Sequence, residues 1–350
     1  MTAIESPAAL LLTSTRVSFA RRSGYSLLAE YMPCRKLSVL RSEPRSLPAR
    51  AATRILSRAS LTNWYRISSG RLELRAAYEL LKSDYGIVHF LWADSDLGFM
   101  DVLRLRRSSF KLCGTFHACG EDLPSIIAGT HRLQRLDAFI LMSSLQADFF
   151  LKCGVPAEKL HVILHGVDTD AWRPGSQRAH AKFRVLSVGG YRRNFSRFRD
   201  LSRALADRPE IEIRVVAPRG CGEELQSLGN LTILSGISDA DLLDEYQQAS
   251  CLVLAVSNAT ANNALLEALS CGLPVISEDI GGISEYITRD CALITKPGDV
   301  DDMRTAITRL FRSRLAVKEM SAAARERAEQ LKWSNTAVQT LQLYRELVSS

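Results

Sequence analysis

One segment, from Ser257 to Ile287, constrains the fold more than any other part of the sequence: SNATANNALLEALSCGLPVISEDIGGISEYI. The apolar run before it, Cys251 to Val256, is typical of a buried strand in a parallel sheet. Short polar side chains from Thr260 to Asn263 predict a helix start, and the apolar spacing that follows predicts a helix ending near Ser270. The order of strand, polar turn and helix indicates an α/β fold on a parallel sheet.

A second strand and a second helix start follow directly. Gly272 suits the left-handed residue that ends a helix, and Pro274 prevents its continuation. Val275 to Ser277 is the predicted strand, and Gly281 and Gly282 precede the next helix. Two helix N-termini at the carboxyl ends of neighbouring strands would point backbone N–H groups at one crevice, which suits a diphosphate.

Glu267 lies one helical turn after Asn263 on the same face, where its carboxylate is placed to accept hydrogen bonds from a sugar diol. The run LLEALSCGLPVISEDIGGISEYI resembles the nucleotide-sugar-binding segment of the retaining family 4 glycosyltransferases of GT-B fold. The resemblance implies that Glu267 contacts the ribose and that a Glu eight residues earlier contacts the donor hexose. Ala259 stands at that earlier position here, and Asn262 or Asn263 is the candidate to replace the missing contact.

The resemblance also implies where the donor phosphates and base lie. The segment Val185 to Gly190 predicts a first strand ending in two glycines, and a basic stretch follows it. The family's Gly-Arg pair and Lys are missing, so three arginines are the available cations, and guanidinium groups can fork onto phosphate oxygens. The loop Ser235 to Ser238 corresponds to the family's base-binding loop. The predicted donor-binding residues are Gly24, Gly189, Arg192, Arg193, Arg197, Ile237, Asn262, Asn263, Leu265, Glu267, Gly281 and Gly282.

The rest of the second half continues the alternation of strands and helices. Ile211 to Ala217 and Leu231 to Leu234 are predicted strands. Ser238, with Asp241 three residues later, predicts the start of a helix. No third glycine follows Gly189 at the spacing of a dinucleotide fingerprint, which argues against a nicotinamide or flavin enzyme.

The first half predicts the same rhythm with a different set of polar residues. Leu10 to Thr13 is a predicted short strand, and Leu27 to Tyr31 a helical pattern. The resemblance places a glycine-bearing loop between them, close to the donor phosphate and the acceptor, and Gly24 is the candidate. Ile87 to Trp92 is a predicted buried strand, and Lys111 to His117 is a strand ending in a histidine. The resemblance puts that residue, His117, beside the transferred sugar, so we take it as the catalytic candidate.

Three other interpretations remain open at this stage. Asp94-Ser-Asp96 and Asp168-Thr-Asp170 match the D-x-D pattern with which metal-dependent glycosyltransferases of the GT-A fold hold a divalent cation. A catalytically inactive binding or scaffold protein of GT-B fold is suggested by Ala259 and the missing Lys. A phosphorylase of the same fold would need a pyridoxal phosphate lysine, for which no candidate is evident. We expect neither a metal nor a cofactor, since helix dipoles and arginines can neutralise the diphosphate.

A chain of 350 residues predicts two domains. The stretch Trp172 to His180, polar and carrying Pro174 and Gly175, is the best boundary. We therefore predict an acceptor-binding Rossmann-like domain over 1–175 and a nucleotide-sugar-binding one over 176–332. The resemblance implies that they face a central cleft and that a C-terminal helix, 333–350, crosses back onto the first domain.

The eight cysteines are scattered without a C-x-x-C pair, which favours reduced thiols and a cytoplasmic location over zinc ligands or disulfides. Ala8 to Leu12 is too short for the core of a signal peptide, and no apolar run reaches the roughly 18 residues of a membrane span. We expect no export signal and no transmembrane helix.

Basic residues are concentrated at the start of the chain. Residues 1–75 hold 13 Lys or Arg against 4 Glu and no Asp, whereas the whole chain has a net charge of +7. Arg50, Arg54 and Arg58 form one stripe of a helix predicted to begin after Pro48. Such a stripe suits either a solvated surface or peripheral contact with anionic lipid on the inner face of a membrane, which fits a saccharide or lipid-linked acceptor. No nucleic-acid-binding module accompanies it, so we expect no nucleic-acid partner.

Overall fold

The computed structural model describes residues 7–15, 21–41, 46–104, 109–175, 182–222, 225 and 228–349. The chain divides into two compact units, each built on one six-stranded sheet. The first unit contains residues 1–19, 24–165 and 333–350, and the second contains 20–23 and 166–332. All strand pairs in both sheets are parallel, so the predicted α/β class with parallel sheets is confirmed.

The first sheet has the strand order β2-β1-β3-β4-β5-β6. Its strands are β1 (Ala9–Thr15), β2 (Arg35–Leu40), β3 (Ile87–Phe90), β4 (Lys111–Phe116), β5 (Ala138–Leu141) and β6 (Leu160–Val162). The helices of this unit are α1 (Leu47–Ala59), α2 (Ile67–Lys82), α3 (Ala93–Asp96), α4 (Met100–Arg104), α5 (Leu123–Ile126), α6 (Ala147–Lys152) and α13 (Trp333–Ser349). Four 3₁₀ turns accompany them, at Tyr25–Glu30, Thr130–Arg135, Ser144–Gln146 and Ala157–Lys159.

The central strands of the first sheet are buried on both faces because helices cover them. Every residue of β3 and β5 is buried, which matches the apolar runs expected for a parallel sheet. One polar side chain inside this unit has a structural role: the Glu73 carboxylate accepts hydrogen bonds from the backbone N–H groups of Gly98, Phe99 and Met100. It thereby satisfies donors at the turn before α4 that would otherwise be buried without a partner.

The last helix, α13, belongs to the first unit although most of that unit precedes it by more than 150 residues. The Tyr344 hydroxyl is hydrogen-bonded to Nδ1 of His89 on β3, and Nε2 of His89 is hydrogen-bonded to the Thr115 hydroxyl at 2.7 Å. Burial lowers the pKa of His89 to about 3, so the ring is neutral at physiological pH. The Thr336 hydroxyl also donates to the Leu164 carbonyl at 3.2 Å. Polar contacts therefore fix α13 on the first sheet.

The second sheet has the strand order β12-β11-β10-β7-β8-β9. Its strands are β7 (Phe183–Val188), β8 (Ile211–Val216), β9 (Leu231–Leu234), β10 (Cys251–Leu254), β11 (Val275–Glu278) and β12 (Ala292–Thr295). Its helices are α7 (Phe195–Ala204), α8 (Asp239–Gln248), α9 (Asn263–Ser270), α10 (Ile283–Tyr286), α11 (Val300–Arg312) and α12 (Arg314–Gln330). The predicted helix start at Ser238 is confirmed, since Ser238 and Asp241 form a reciprocal capping box at the N-terminus of α8.

Some sequence expectations differ from the structure. The helical pattern predicted over Leu27–Tyr31 is a 3₁₀ turn, Tyr25–Glu30, with Gly24 as its N-cap. The strands β2, β5, β6 and β12 were not predicted; β2, β6 and β12 are edge strands that keep exposed or half-buried residues and lack a continuous apolar run. The basic helix α1 begins at Leu47, one residue before Pro48, with Ser46 as its N-cap.

The chain leaves the first unit earlier than the boundary that the sequence suggested after residue 175. Residues 166–175 lie with the second unit, where the Trp172 carbonyl accepts a hydrogen bond from the Ser270 hydroxyl and another from Arg325. Val167 donates its N–H to Leu331 at 2.8 Å. Residues 176–181 of the suggested boundary lie outside the described residues.

Two further expectations concern the surroundings of the protein. All eight cysteines are free thiols, and five of them are buried. None of the helices in the described ranges combines the length and apolar character that crossing a bilayer requires.

The contact between α13 and β3 gives a prediction. Tyr344→Phe should lower the free energy of unfolding by about 1–2 kcal/mol, because Nδ1 of buried His89 loses its partner. Equilibrium urea unfolding measures the change. Tyr78→Phe, at an exposed tyrosine of the same unit, is the control and should change stability by less than about 0.5 kcal/mol. Equal stabilities of the two variants would show that this hydrogen bond does not hold α13.

Candidate functional site

The direction of strand addition in the second sheet reverses between β7 and β10. The chain proceeds from β7 through β8 to β9 on one side and from β10 through β11 to β12 on the other. At such a switch point the loops after the two central strands diverge and leave a crevice at the carboxyl edge of the sheet. Gly189 follows β7, and Arg193 forms an isolated bridge with Val256, just after β10. The predicted phosphate-binding residues therefore lie where an α/β sheet most often binds ligands.

The Arg193 side chain lies directly against the backbone of Gly189. Gly189 has φ 103°, which favours glycine, and a Cβ atom there would lie 3.1 Å from Nη2 of Arg193. The Arg193 guanidinium donates to the Val188 carbonyl from Nε at 2.9 Å and from Nη2 at 2.5 Å. Nη2 also lies 3.3 Å from Oδ1 of Asn262. One side chain thus links the end of β7 to the start of α9.

The guanidinium of Arg193 is half-buried and lies at the end of β7. Burial lowers its pKa to about 10, and the nearby Tyr246 and Glu267 act in the opposite direction. The group therefore stays cationic at neutral pH. Among the residues that the structure describes, no carboxylate lies within ion-pair distance of this guanidinium. A partly buried cation that lacks a neighbouring carboxylate favours the binding of an anion.

The two other arginines of the predicted set lie in different environments. Arg197 forms an ion pair with the buried carboxylate of Glu278, which also accepts the Gly298 N–H at 2.8 Å. Its charge is already compensated inside the protein. Arg192 has φ 56°, a left-handed conformation that is uncommon for a residue with a side chain, and its carbonyl accepts the Ser257 N–H at 3.0 Å.

The start of α9 is capped by a side chain. Oδ1 of Asn262 accepts the Leu265 N–H at 3.2 Å, as an N-cap residue does. The N–H groups of Asn263 and Ala264 are in the first turn, where no intrahelical acceptor exists. Leu265 is wholly buried and its N–H bonds to Asn262, so the structure leaves this residue in the core and not at a ligand surface.

The second helix start differs from the sequence expectation. The helix α10 is a single turn, Ile283–Tyr286, without a side-chain cap. Gly282 donates its N–H to the Ala259 carbonyl at 2.8 Å, so this donor is used inside the protein. Gly281 has φ 59°, and a Cβ atom there would lie 2.3 Å from the Ala259 oxygen. Only glycine fits at this close approach, and of the two helix starts predicted from the sequence only that of α9 belongs to a helix longer than one turn.

Glu267 lies on α9 and is 5% exposed. The Tyr246 hydroxyl donates to its Oε2 at 2.7 Å, and the Ser23 hydroxyl donates to its Oε1. Burial raises the pKa of Glu267 to about 7, and the hydrogen bonds from Ser23 and Tyr246 oppose the increase. Asp239 raises the pKa further and Arg193 lowers it. The carboxylate therefore changes its charge near neutral pH.

Ser23 and Tyr246 were not predicted from the sequence. Ser23 belongs to a short segment, 21–23, that lies with the second unit. Its neighbours are fixed there, since the Arg21 N–H donates to Asp239 at 2.8 Å and Trp172 Nε1 donates to the Arg22 carbonyl at 3.2 Å. Nothing in the sequence pattern relates these residues to Glu267, since they are 244 and 21 residues away along the chain.

Ile237 lies in the loop after β9, two strands away from β7, and is half-buried. Gly236 beside it has φ 69°, and a Cβ atom there would lie 3.3 Å from the Arg219 guanidinium. The structure therefore places the predicted base-binding loop at the same carboxyl edge as Gly189, but not in contact with it.

In the first unit the sheet reverses between β1 and β3, and the predicted residues follow these strands and β4. Gly24, with φ 91°, precedes the turn Tyr25–Glu30. His117 comes directly after β4 and is half-buried, with its ring stacked on Trp92 at 3.9 Å between centroids and edge-on to Tyr25 at 4.8 Å. Nε2 of His117 donates to the Leu91 carbonyl at 2.7 Å, so the neutral ring carries its lone pair on Nδ1.

Three of the four D-x-D aspartates have side-chain partners among the described residues. Asp94 Oδ2 accepts the N–H groups of His117 and Ala118 at 2.9 and 2.8 Å. Asp96 accepts from the Ser14 N–H and the Ser69 hydroxyl. Asp168 pairs with Arg22. Within the described ranges no three His, Cys, Asp or Glu side chains are grouped as metal ligands would be. Asp94 instead fixes the backbone that carries His117.

Sequence profiles of two glycosyltransferase groups match the chain one after the other. The profile for Glycosyltransferase Family 4 matches residues 36–171, and the profile for Glycosyl transferases group 1 matches residues 182–313. The second match contains every predicted donor-binding residue except Gly24.

Characterised relatives are identical to this chain at about a quarter of the aligned positions. Sulfoquinovosyl transferase SQD2 of Arabidopsis thaliana is 26% identical over 237 residues, which are 63% of this chain and 46% of that protein. D-inositol 3-phosphate glycosyltransferase of Saccharomonospora viridis is 24% identical over 306 residues, which are 78% of this chain and 71% of that protein. The matched regions span about half the length of the first two curated relatives.

Solved structures resemble the whole chain. Sucrose-phosphate synthase from Thermosynechococcus elongatus superposes with a TM-score of 0.71 at 19% identity, covering 99% of this chain and 100% of that one. HepE of Anabaena, solved in complex with UDP, gives a TM-score of 0.71 at 15% identity, with 97% and 100% covered. These likenesses confirm the GT-B fold. With the two profiles and the glycine, arginine and glutamate residues at the switch point, they identify this chain as a member of the group 1, family 4 glycosyltransferases.

Proposed function

We propose that this protein transfers a sugar from a nucleoside diphosphate sugar to an acceptor, with retention of configuration, in the synthesis of a glycan, polysaccharide or glycolipid. The observation that carries the proposal is the half-buried Arg193 cation at the switch point of the second sheet, which has no carboxylate within ion-pair distance among the described residues. Gly189 lies on one side of it, and the start of α9 lies on the other. A diphosphate supplies the negative charge that this position lacks.

The donor diphosphate binds to Arg193 and to the first-turn N–H groups of Asn263 and Ala264. The guanidinium keeps its orientation through Val188, so little reorganisation is needed when the anion arrives. As the bond to the sugar breaks, negative charge grows on the leaving diphosphate, and the same fixed donors stabilise it. Positive groups of the protein do the work of a cation in this scheme, so the reaction is independent of a metal ion.

The ribose of the donor binds to Glu267, which lies one turn into α9. An ionised carboxylate accepts hydrogen bonds from both hydroxyls of a diol and makes stronger bonds than an amide. No carboxylate stands at position 259, so the hexose is held by other groups, and Asn262 or Asn263 is the nearest amide on the same turn. This departure from the family pattern bears on which sugar is transferred.

His117 and Gly24 of the first unit serve the acceptor and the transferred sugar. The imidazole is fixed by Leu91 and Trp92, and Nδ1 is the ring atom that carries the lone pair. In a retaining reaction of this kind the departing diphosphate takes the acceptor proton, so His117 orients a sugar hydroxyl and is not required as the general base.

The activities of the relatives support this scheme at the level of the reaction. They transfer sulfoquinovosyl, mannosyl and other glycosyl groups, and three of the similar structures contain UDP. UDP sugars are therefore the first donors to test. An inactive GT-B-fold binding protein is the alternative, and Ala259 is the residue that motivates it.

We also propose peripheral contact with an anionic membrane through the basic face of the first unit. On α1 only Thr53 is buried, and Leu47 and Ile55 are 78% and 69% exposed beside Arg54 and Arg58. Apolar side chains among cations are typical of helices that lie in the headgroup region of a bilayer.

A second helix carries the same pattern. On α2, Leu74, Tyr78 and Leu81 are 73%, 57% and 73% exposed. The exposed cations on that helix are Arg71, Arg75 and Lys82. Two basic helices with exposed apolar side chains support a lipid surface as the partner, and a lipid-linked acceptor would be found there.

One prediction concerns the transfer of the sugar itself. Incubation with a panel of nucleotide sugars and candidate saccharide or lipid-linked acceptors, followed by mass spectrometry, should detect a glycosylated product or slow donor hydrolysis. The activity should persist in excess EDTA. Donor binding without transfer or hydrolysis for any donor would favour the inactive binding protein, and loss in EDTA restored by magnesium or manganese would overturn metal independence.

Glu267→Gln should weaken donor binding by about 1.5–3 kcal/mol at pH 8, because an amide accepts ribose hydrogen bonds less strongly. The parent should bind the donor more tightly as pH rises through about 7, where Glu267 ionises, and the variant should lack this component. Calorimetry from pH 6 to 8.5 tests both effects. Glu319→Gln, at an exposed position of α12, is the control. Equal affinities of a folded Glu267→Gln variant and its parent would remove Glu267 from the site.

His117→Ala should lower turnover at least tenfold, about 1.4 kcal/mol of transition-state stabilisation. His161→Ala, at a half-buried histidine on the edge strand β6, is the control and should retain turnover. Full turnover of His117→Ala would exclude it from the reaction centre.

Replacement of Arg50, Arg54 and Arg58 by Gln should reduce sedimentation with vesicles containing anionic lipid, with little effect on a soluble acceptor analogue. Each cation near such a surface contributes about 1 kcal/mol. The matched control replaces the exposed Arg312, Arg314 and Lys318 of the second unit by Gln. If both triple variants bind vesicles as the parent does, α1 is solvated surface only.

A further inference from the structure

The carboxylate of Glu267 holds two hydroxyl groups before any ligand is present. Tyr246 donates to Oε2 at 2.7 Å, and Ser23 donates to Oε1. One hydroxyl on each carboxylate oxygen is also the arrangement that a ribose diol would make. A ligand diol therefore meets a carboxylate whose oxygens both have a partner.

The two hydroxyls differ in how firmly they are held. Tyr246 is wholly buried on α8, and its ring packs edge-on against Trp172 at 5.6 Å between centroids. It cannot leave Glu267 without opening the core of the second unit. Ser23 is half-buried in the segment 21–23, whose other contacts are Arg21 with Asp239 and Arg22 with Asp168 and Trp172. A rotation of the Ser23 side chain releases Oε1 and leaves those contacts intact.

We propose that Tyr246 is a positioning residue that fixes Glu267 for ribose recognition, and that the Ser23 hydroxyl is exchanged for a ribose hydroxyl when the donor binds. The inference rests on the proposed function and deepens it, because it assigns the ribose contact to one carboxylate oxygen. Tyr246 keeps Oε2 in both states, and Oε1 changes partner from Ser23 to the ligand.

The exchange has a defined effect on affinity. A buried carboxylate that lost Ser23 without replacement would be left under-bonded, so Ser23 stabilises the unliganded state. Donor binding must break this bond, and the apparent affinity is reduced by its strength. Removal of the serine hydroxyl should therefore tighten the binding of ribonucleotides. Removal of the tyrosine hydroxyl should weaken it, because that bond persists in the complex.

The charge of Glu267 depends on the groups that face it. These are Tyr246 and Asp239 on α8, Arg193 after β7, and Cys271, whose own pKa is raised first by burial and then by Glu267. The hydrogen bond from Tyr246 lowers the pKa of Glu267. Loss of that bond should move the midpoint of the pH dependence of binding to higher pH. A tyrosine that only filled space would not move this midpoint.

The experiment uses isothermal calorimetry at pH 8.5, where Glu267 is ionised, on the full chain. UDP, GDP and ADP are the probes, and the tightest is repeated in its 2′,3′-dideoxy form. Ser23→Ala should bind the ribonucleotide roughly three- to tenfold more tightly and should show no gain for the dideoxy form. Ser250→Ala, at a half-buried serine before β10 in the same unit, is the control and should match the parent.

Tyr246→Phe should bind the ribonucleotide about tenfold more weakly at pH 8.5 and, in titrations repeated from pH 6 to 8.5, should shift the pH midpoint upward. Tyr344→Phe, which removes a buried tyrosine hydroxyl in the first unit, controls for general destabilisation and should keep the parental midpoint. An unchanged midpoint in folded Tyr246→Phe would overturn the positioning role.

The outcomes separate this inference from the proposed function. If the parent binds a nucleotide and Ser23→Ala binds it equally or more weakly, the exchange is wrong and the transferase proposal stands. If neither the parent nor Ser23→Ala binds any of the three nucleotides, the proposed function fails and the exchange fails with it. A gain for the dideoxy form as large as for the ribonucleotide would also overturn the exchange, because no ribose hydroxyl is then involved.

Discussion

The switch point of the second sheet depends on one half-buried guanidinium. Arg193 connects the end of β7 with the cap of α9 by donating to Val188 and approaching Asn262. A buried arginine is stable only if its donors are satisfied and its charge is balanced. Nε and Nη2 donate to protein oxygens, but the charge is not balanced by a neighbouring carboxylate among the described residues. The fold thus has an unbalanced positive charge at the place where its ligand would bind. The close approach of Gly189 and the start of α9 serve the same purpose, the binding of an anion.

Glu267 is the counterpart of this arginine. It is too far from the guanidinium for an ion pair, yet close enough for each group to affect the pKa of the other. Hydrogen bonds from the Ser23 and Tyr246 hydroxyls stabilise its ionised form. The separation matters, because a direct pair would neutralise both charges and leave neither for a substrate. Cation and carboxylate remain available to different parts of one ligand.

The sequence predicted most strands that are central and apolar, as at Ile87 and Cys251, because burial on both faces leaves a continuous signal, although the short central strand β5 was missed. It missed β2 and β6, whose edge positions leave polar and exposed residues in the pattern. Short-range chemistry was also predictable, as in the capping of α8 by Ser238.

Long-range chemistry was not predictable. The bond from Ser23 to Glu267 and the pairing of Arg197 with Glu278 join residues that only the tertiary fold brings together. The roles of His117 and Gly24 remain predictions, since the structure fixes their positions but contains no substrate.

The position of α13 has a consequence for the biosynthesis of the protein. The ribosome makes residues 24–165 long before Tyr344, whose hydroxyl is hydrogen-bonded to Nδ1 of His89 in the middle of that sheet. Domains of many proteins fold in order as they emerge. Here Nδ1 of buried His89 lacks its partner until the second unit and α13 have been synthesised. Truncation within α13 would therefore disturb the unit whose six strands all lie much earlier in the chain.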